Sequence, residues 1–264
     1  MMPVFNAVAS VGAWFLDSVS MIGGIFALLG RTLAAAFWLG SPRRWRWTRE
    51  QMMAIGVRSL GITAAILFLV GMVIAFQTAY QMRSIGAEIL IPGLLAVSIT
   101  RELGPMLTAL VIAGRAGAAM TAEIGSMKVT EQVEALETMS VDPVEHLVVP
   151  RFWASVITIP LLTVFATAIG ILGGFVVCYT KLGISPKVFV SQVFQTLVLS
   201  DVIAGIVKSF IFGMLICIVS CYQGLKVSGG AGGVGRYTMR AVVVSFLLII
   251  LADFIFTVLF YLIP

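Results

Sequence analysis

Ile89-Leu-Ile-Pro-Gly-Leu-Leu-Ala-Val-Ser-Ile-Thr-Arg-Glu-Leu-Gly-Pro-Met-Leu-Thr-Ala-Leu-Val-Ile-Ala113 is long enough to cross a bilayer and carries two charges, Arg101 and Glu102, at its centre. A membrane helix needs about 20 apolar residues. Charge at mid-depth is costly unless it is paired or hydrated. Pro105 also denies a hydrogen bond to the carbonyl of residue 101, and Gly104 loosens the same turn. A weakened helix bearing two charges there is tolerated where it faces protein or a wet cavity. Arg101 and Glu102 either lock a bundle as a structural ion pair or line a substrate path, and we take the second reading.

Working outward, four further apolar runs fall at about 57–80, 152–179, 202–222 and 241–263. Backbone polar groups in lipid must be satisfied within the segment, so these runs are helices; barrel strands would be shorter and alternating. The expectation is an all-α integral membrane protein with five transmembrane helices. The whole chain agrees: of 264 residues 60% are hydrophobic and 11% charged, and the mean hydropathy is +1.08. A soluble domain carries roughly 25% charged residues. A water-soluble domain, disorder, coiled coil and nucleic-acid binding are thereby excluded. Cys178, Cys217 and Cys221 form neither a disulfide framework nor a metal-binding spacing.

Residues 1–50 read differently from the transmembrane domain at 51–264. They are apolar but interrupted by Asp17 and Arg31, with Gly12, Gly23, Gly24 and Gly30 between. One or two helices lying in or dipping into the interface are expected; the alternative is a sixth span at 18–39. The first thirty residues hold no Lys or Arg, so no secretory signal is expected. Arg43, Arg44, Arg46 and Arg49, with Trp45 and Trp47, precede the first run. Arg115, Lys128 and Arg151 flank the second connection, and Lys226, Arg236 and Arg240 the fourth. The excess of basic residues places this side and the N-terminus in the cytoplasm, and Pro264 outside.

The remaining charge sits on the last two runs. Asp201, Gly205 and Lys208 fall at i, i+4 and i+7, one stripe of a helix. Lys208 could snorkel outward along its stem. Asp253 stands alone near mid-depth, either protonated or paired with Arg101 or Lys208. Gly170 and Gly174, and the row Gly205, Ser209 and Gly213, mark close helix contacts within or between subunits.

Three connections carry content. Ser185-Pro186 caps a short outer-face helix bearing Val188, Phe189, Phe194 and Leu197. Ser228 to Gly235 reads as a flexible glycine run; its G-x-G-x-x-G match lacks the strand that a dinucleotide site requires. No cofactor is therefore expected on this chain. Over 121–140 a helical projection gathers Val129, Val133, Leu136 and Met139 on one side and Glu131, Glu134 and Glu137 on the other. Asp142-Pro-Val-Glu145 then starts a second helix. The three glutamates form either a solvated face or a docking ledge for a basic cytoplasmic partner.

Arg101-Glu-Leu-Gly-Pro105, Ala113-Gly-Arg-Ala-Gly117, Thr121-Ala-Glu-Ile-Gly125, Thr130-Glu-Gln-Val-Glu-Ala-Leu-Glu137, Val141-Asp-Pro143 and Pro150-Arg-Phe-Trp153 resemble the MlaE permease family, as do Arg240-Ala-Val-Val243 and Asp253. The likeness spans residues 50–264. The resemblance implies the membrane subunit of an ABC transporter moving phospholipid between the bacterial inner membrane and a periplasmic MCE-domain partner, so helping to maintain outer-membrane lipid asymmetry. It further implies a homodimer, ATP and Mg on separate ATPase subunits, and a small cytoplasmic accessory subunit. In the family a coupling helix follows the second span, which corresponds here to about 121–141 with Glu131, Val133, Glu134, Leu136 and Glu137. The lipid path of the family matches Arg101, Glu102, Asp201, Lys208 and Asp253. Gly235-Arg-Tyr-Thr-Met-Arg240 departs from the smaller stretch of relatives.

Two other classes stand beside that expectation. One is a proton-coupled secondary transporter using Glu102 and Asp253 as carriers, although five spans do not divide into inverted repeats. The other is a non-transporting scaffold whose ion pairs are structural.

Overall fold

The computed structural model describes residues 2–36 and 42–262. They are almost wholly helical, and no strand occurs among them. In chain order the α-helices are α1 (Met2–Ala36), α2 (Pro42–Met52), α3 (Arg58–Arg83), α4 (Ile91–Ser98), α5 (Gly104–Ile112) and α6 (Ala118–Val129). They continue with α7 (Gln132–Thr138), α8 (Val149–Leu182), α9 (Pro186–Thr196), α10 (Leu199–Leu225) and α11 (Gly230–Leu262). Single π-helical turns join several of them. Met53–Val57 links α2 to α3, Ile99–Leu103 links α4 to α5, Ala113–Gly117 links α5 to α6, and Val144–Val148 leads into α8.

Among the described residues, six helices are long and apolar enough to cross a membrane, one more than the five read from the sequence. The chain is thus a multi-pass membrane protein. The extra one is Val19–Ala36. Gly23, Gly24 and Gly30 do not interrupt it, as glycine is well tolerated in helices that lipid surrounds. Arg31 escapes isolation by pairing with Asp142 at 3.2 Å. Among the described residues, α1 meets the arginine-rich end of the bundle. Ile25 and Leu28 belong to a core cluster that runs from Val144 and Val148 to Val156 and Cys217, and Met21 Sδ accepts from Gln223 Nε2 at 3.3 Å.

The bundle is assembled through the small residues. A Cβ on Gly71 would stand 1.9 Å from the carbonyl oxygen of Gly170, and one on Gly173 would stand 2.1 Å from that of Phe68. Helices α3 and α8 therefore meet backbone to backbone, the contact that small-residue rows permit. Gly213 of α10 lies likewise against the Ser155 carbonyl of α8. Both rows make their close approaches inside the protomer, the within-subunit one of the two contacts that the spacing allows. Helix α10 is the most covered of the long helices and α11 the least.

Two connections differ from their expected form. The glycine run is helical from Gly230 onward and forms the first turns of α11; only Ser228 and Gly229 lie outside, with Gly229 at φ +85°. The helix expected over 121–140 breaks at Thr130, where Glu131 adopts a left-handed φ of +59°. Helix α9 starts at the expected Ser185-Pro186 cap and ends at Thr196, one residue before Leu197. The Val188 N–H donates to Ser185 Oγ at 3.4 Å, and Phe189 is buried while Phe194 is exposed.

Candidate functional site

The π-turn Ile99–Leu103 carries Arg101 and Glu102. Its cause is local. Pro105 has no N–H to give residue 101, and the Gly104 N–H reaches back five residues to the carbonyl of Ile99. A wide turn of this kind re-aims side chains and is frequent at functional sites.

Helix α10 lies directly on that turn. A Cβ on Gly205 would be 2.4 Å from the carbonyl oxygen of Thr100, so only glycine allows the approach. The stripe Asp201, Gly205, Lys208 then places one charge on each side of the contact. Arg101 Nη1 donates to Asp201 Oδ1 at 3.5 Å. Asp201 also caps its own helix, its Oδ2 accepting from the Val198 N–H at 3.2 Å. On the other side Lys208 Nζ donates to Glu102 Oε2 and lies 3.0 Å from Asp253 Oδ1 of α11. That second contact is an ion pair without hydrogen-bond alignment.

Thr257 completes the cluster. Its hydroxyl accepts from Lys208 at 2.9 Å and lies 3.1 Å from Glu102 Oε2. No feature of an apolar helix singled out this threonine, although it follows Asp253 by one helical turn and so shares its face. Three helices are thus pinned by one ammonium. Lys208 does not snorkel: its side chain is fully buried, against 36% exposure for Arg101. Arg101 and Glu102 do not pair with each other; each has its partner on α10. With all groups ionised the Lys208 cluster carries two carboxylates and one ammonium.

Beside the cluster Thr100, Thr167, Leu197, Val202 and Ile206 help line a recess of about 170 Å³. The Thr100 hydroxyl is buried without a partner. At the arginine-rich end Arg115 donates to Ser59 Oγ at 2.5 Å and to the Ala54 carbonyl at 3.2 Å, while Arg151 meets Glu123 at 3.0 Å.

The expected docking ledge is smaller than read. Glu131 and Glu137 are exposed, Val133 is buried and Leu136 half-buried. Glu134 accepts from Lys128 across the break, and that hydrogen bond lowers the pKa of its carboxyl below the ordinary range. Asp142 caps the following helix by accepting from the Val144 N–H at 2.8 Å.

Comparison with known proteins bears on what this arrangement serves. The sequence model of the family described as Permease MlaE matches residues 48–259. A probable ABC transporter permease protein of Rickettsia typhi is 42% identical over 234 residues, 89% of this chain and 90% of its own. One from Synechocystis is 44% identical over 209 residues, 79% and 80% of the two chains. The intermembrane phospholipid transport system permease protein MlaE of Haemophilus influenzae is 35% identical over 259 residues, 96% and 97% of the two chains.

Proposed function

This chain belongs to the MlaE permease family, and from that premise we propose that it is the membrane subunit of an ABC-type phospholipid transporter. It moves phospholipid between the bacterial inner membrane and a periplasmic MCE-domain partner, which helps to keep the outer membrane asymmetric. No covalent chemistry occurs on this chain; ATP and Mg belong to separate ATPase subunits. These dock on α7 through Glu131 and Glu137, with Val133 and Leu136 beneath, and a small accessory subunit shares the cytoplasmic side. Two copies enclose the lipid path. Since the small-residue rows are consumed internally, α11, the least covered helix, is the face left for the second copy.

The observation that carries the reading is the half-exposed guanidinium of Arg101 next to a fully buried, saturated Lys208. Of the two bases at this depth, Arg101 alone keeps donors free for a lipid phosphate. Lys208, Glu102, Asp253 and Thr257 hold three helices in one register, and Asp201 orients Arg101. ATP binding below presses on α7, which continues through α6 and α5 to the π-turn, and changes the lipid affinity of the bundle. Coupling requires only two states that differ in that affinity.

Reconstitution of the permease with its ATPase and fluorescent phospholipid tests this. Losing one charge-assisted contact, worth about 1.5–3 kcal/mol, means that Arg101→Gln lowers lipid co-purification and transport about tenfold or more, with ATPase association intact. Unchanged lipid content and transport would overturn the role. The excess carboxylate of the cluster favours one second reading, proton-driven flux through Glu102 and Asp253. Flux through the isolated chain under a pH gradient alone would establish that reading, and its absence removes it.

A further inference from the structure

A second groove lies away from the charge cluster, between the π-turn joining α2 to α3 and the flank of α8. Its volume is about 360 Å³, and Arg49, Gly56, Val57, Thr158, Leu161 and Phe165 help line it. Gly56 and Thr158 form its floor, for a Cβ on Gly56 would be 2.2 Å from Thr158 Cγ2. Val57 and Leu161 form its lips, 58% and 63% exposed. The Thr158 hydroxyl is buried without a partner.

Arg49, Met53, Gly56 and Leu60 all line the groove, a stripe that runs from α2 across the π-turn into α3 with the arginine at its arginine-rich end. Trp45, one turn before Arg49, marks the level of the headgroups, where tryptophan concentrates. From Arg49 to Leu60 the stripe runs about 16 Å at 1.5 Å per residue, the length of an acyl chain reaching into one leaflet. Arg46 is paired with Glu50 at 3.4 Å. Among the described residues Arg49 has no such partner.

We propose that this groove holds an anionic phospholipid of the leaflet at the arginine-rich end, its acyl chain along the stripe and its phosphate on Arg49. An apolar furrow at hydrocarbon depth is filled by acyl chain, and a basic side chain at headgroup level selects the negative lipid. The site is separate from the path at Arg101 and does not rest on the transport reading.

The test uses the intact transporter complex in nanodiscs of phosphatidylethanolamine and phosphatidylglycerol at 3:1, released into native mass spectrometry. Wild type retains phosphatidylglycerol above its bulk fraction. One basic residue near an anionic surface contributes about 1 kcal/mol, so Arg49→Gln lowers that enrichment about fivefold. Leu161→Trp, which fills the groove with Arg49 intact, lowers it too. Arg46→Gln, which removes a neighbouring arginine already paired with Glu50, leaves it unchanged. The adduct mass separates a phospholipid from bound inorganic phosphate. Wild-type retention at the bulk ratio, a phosphate adduct alone, or enrichment that survives Arg49→Gln would overturn the proposal.

Discussion

Lys208 is the residue on which the bundle turns. Removing one partner from a buried ionic cluster leaves the others uncompensated, which costs about 3–5 kcal/mol. Lys208→Met strands Glu102 and Asp253 together and should lower the melting temperature sharply or abolish detergent-stable expression. Asp253→Asn instead brings the cluster to one carboxylate per ammonium, and a far smaller loss is expected in the same thermal melt. Equal losses would mean that the charges are independent. The stripe of Asp201, Gly205 and Lys208 was legible in the sequence because helical spacing fixes which residues share a face. The partners were not, since spacing within α10 says nothing of which helix lies across from it. The sequence offers Asp253 two bases, and only the packing of α11 against α10 joins it to Lys208.

At the scale of elements, close backbone approaches and broken helices decide the geometry. Gly71→Ala forces a methyl into the Gly170 carbonyl, and overpacking of this kind costs about 1–3 kcal/mol. Gly61→Ala on the same helix meets nothing within 4 Å and should leave the melting temperature nearly unchanged. The π-turn was half legible, because Pro105 announces a lost hydrogen bond without saying how the helix absorbs it. The break at Thr130 was not, as Thr and Glu are ordinary helical residues and a projection runs through them regardless. Lys128 and Glu134 clasp that break. Hydrogen bonding holds the Glu134 carboxyl low, so the clasp is complete above the ordinary carboxylate range and is lost as pH falls through the lowered value. Lys128→Gln should reproduce that loss at neutral pH, read as faster amide exchange at Val133. Exchange identical to wild type would remove the clasp from the coupling segment. For ATPase pull-down, Glu131→Lys with Glu137→Lys should release the partner, while Glu134→Lys should act mainly through the clasp.

At the scale of the whole molecule, the length of α1 would let it cross the bilayer while its contacts hold it at one end of the bundle. Val19–Ala36 is long and apolar enough to span. Yet Met21, Gly24 and Arg31 all meet residues at the arginine-rich end, from Tyr222 and Gln223 at the close of α10 to Asp142 before α8. A crossing helix would change depth by about 1.5 Å per residue and meet partners at successive levels. Contact with one level over ten residues is the pattern of a helix lying along the interface. Labelling decides it. Cys178, Cys217 and Cys221 are buried and silent to an impermeant maleimide in the folded protein. Leu16 and Leu33 are exposed, about 26 Å apart along the helix, so cysteines there report both ends. If α1 lies in the interface, both label from the cytoplasmic side of inverted vesicles and neither from the opposite side. Labelling of Leu16→Cys and Leu33→Cys from opposite sides would make α1 a sixth span and move the N-terminus to the periplasm.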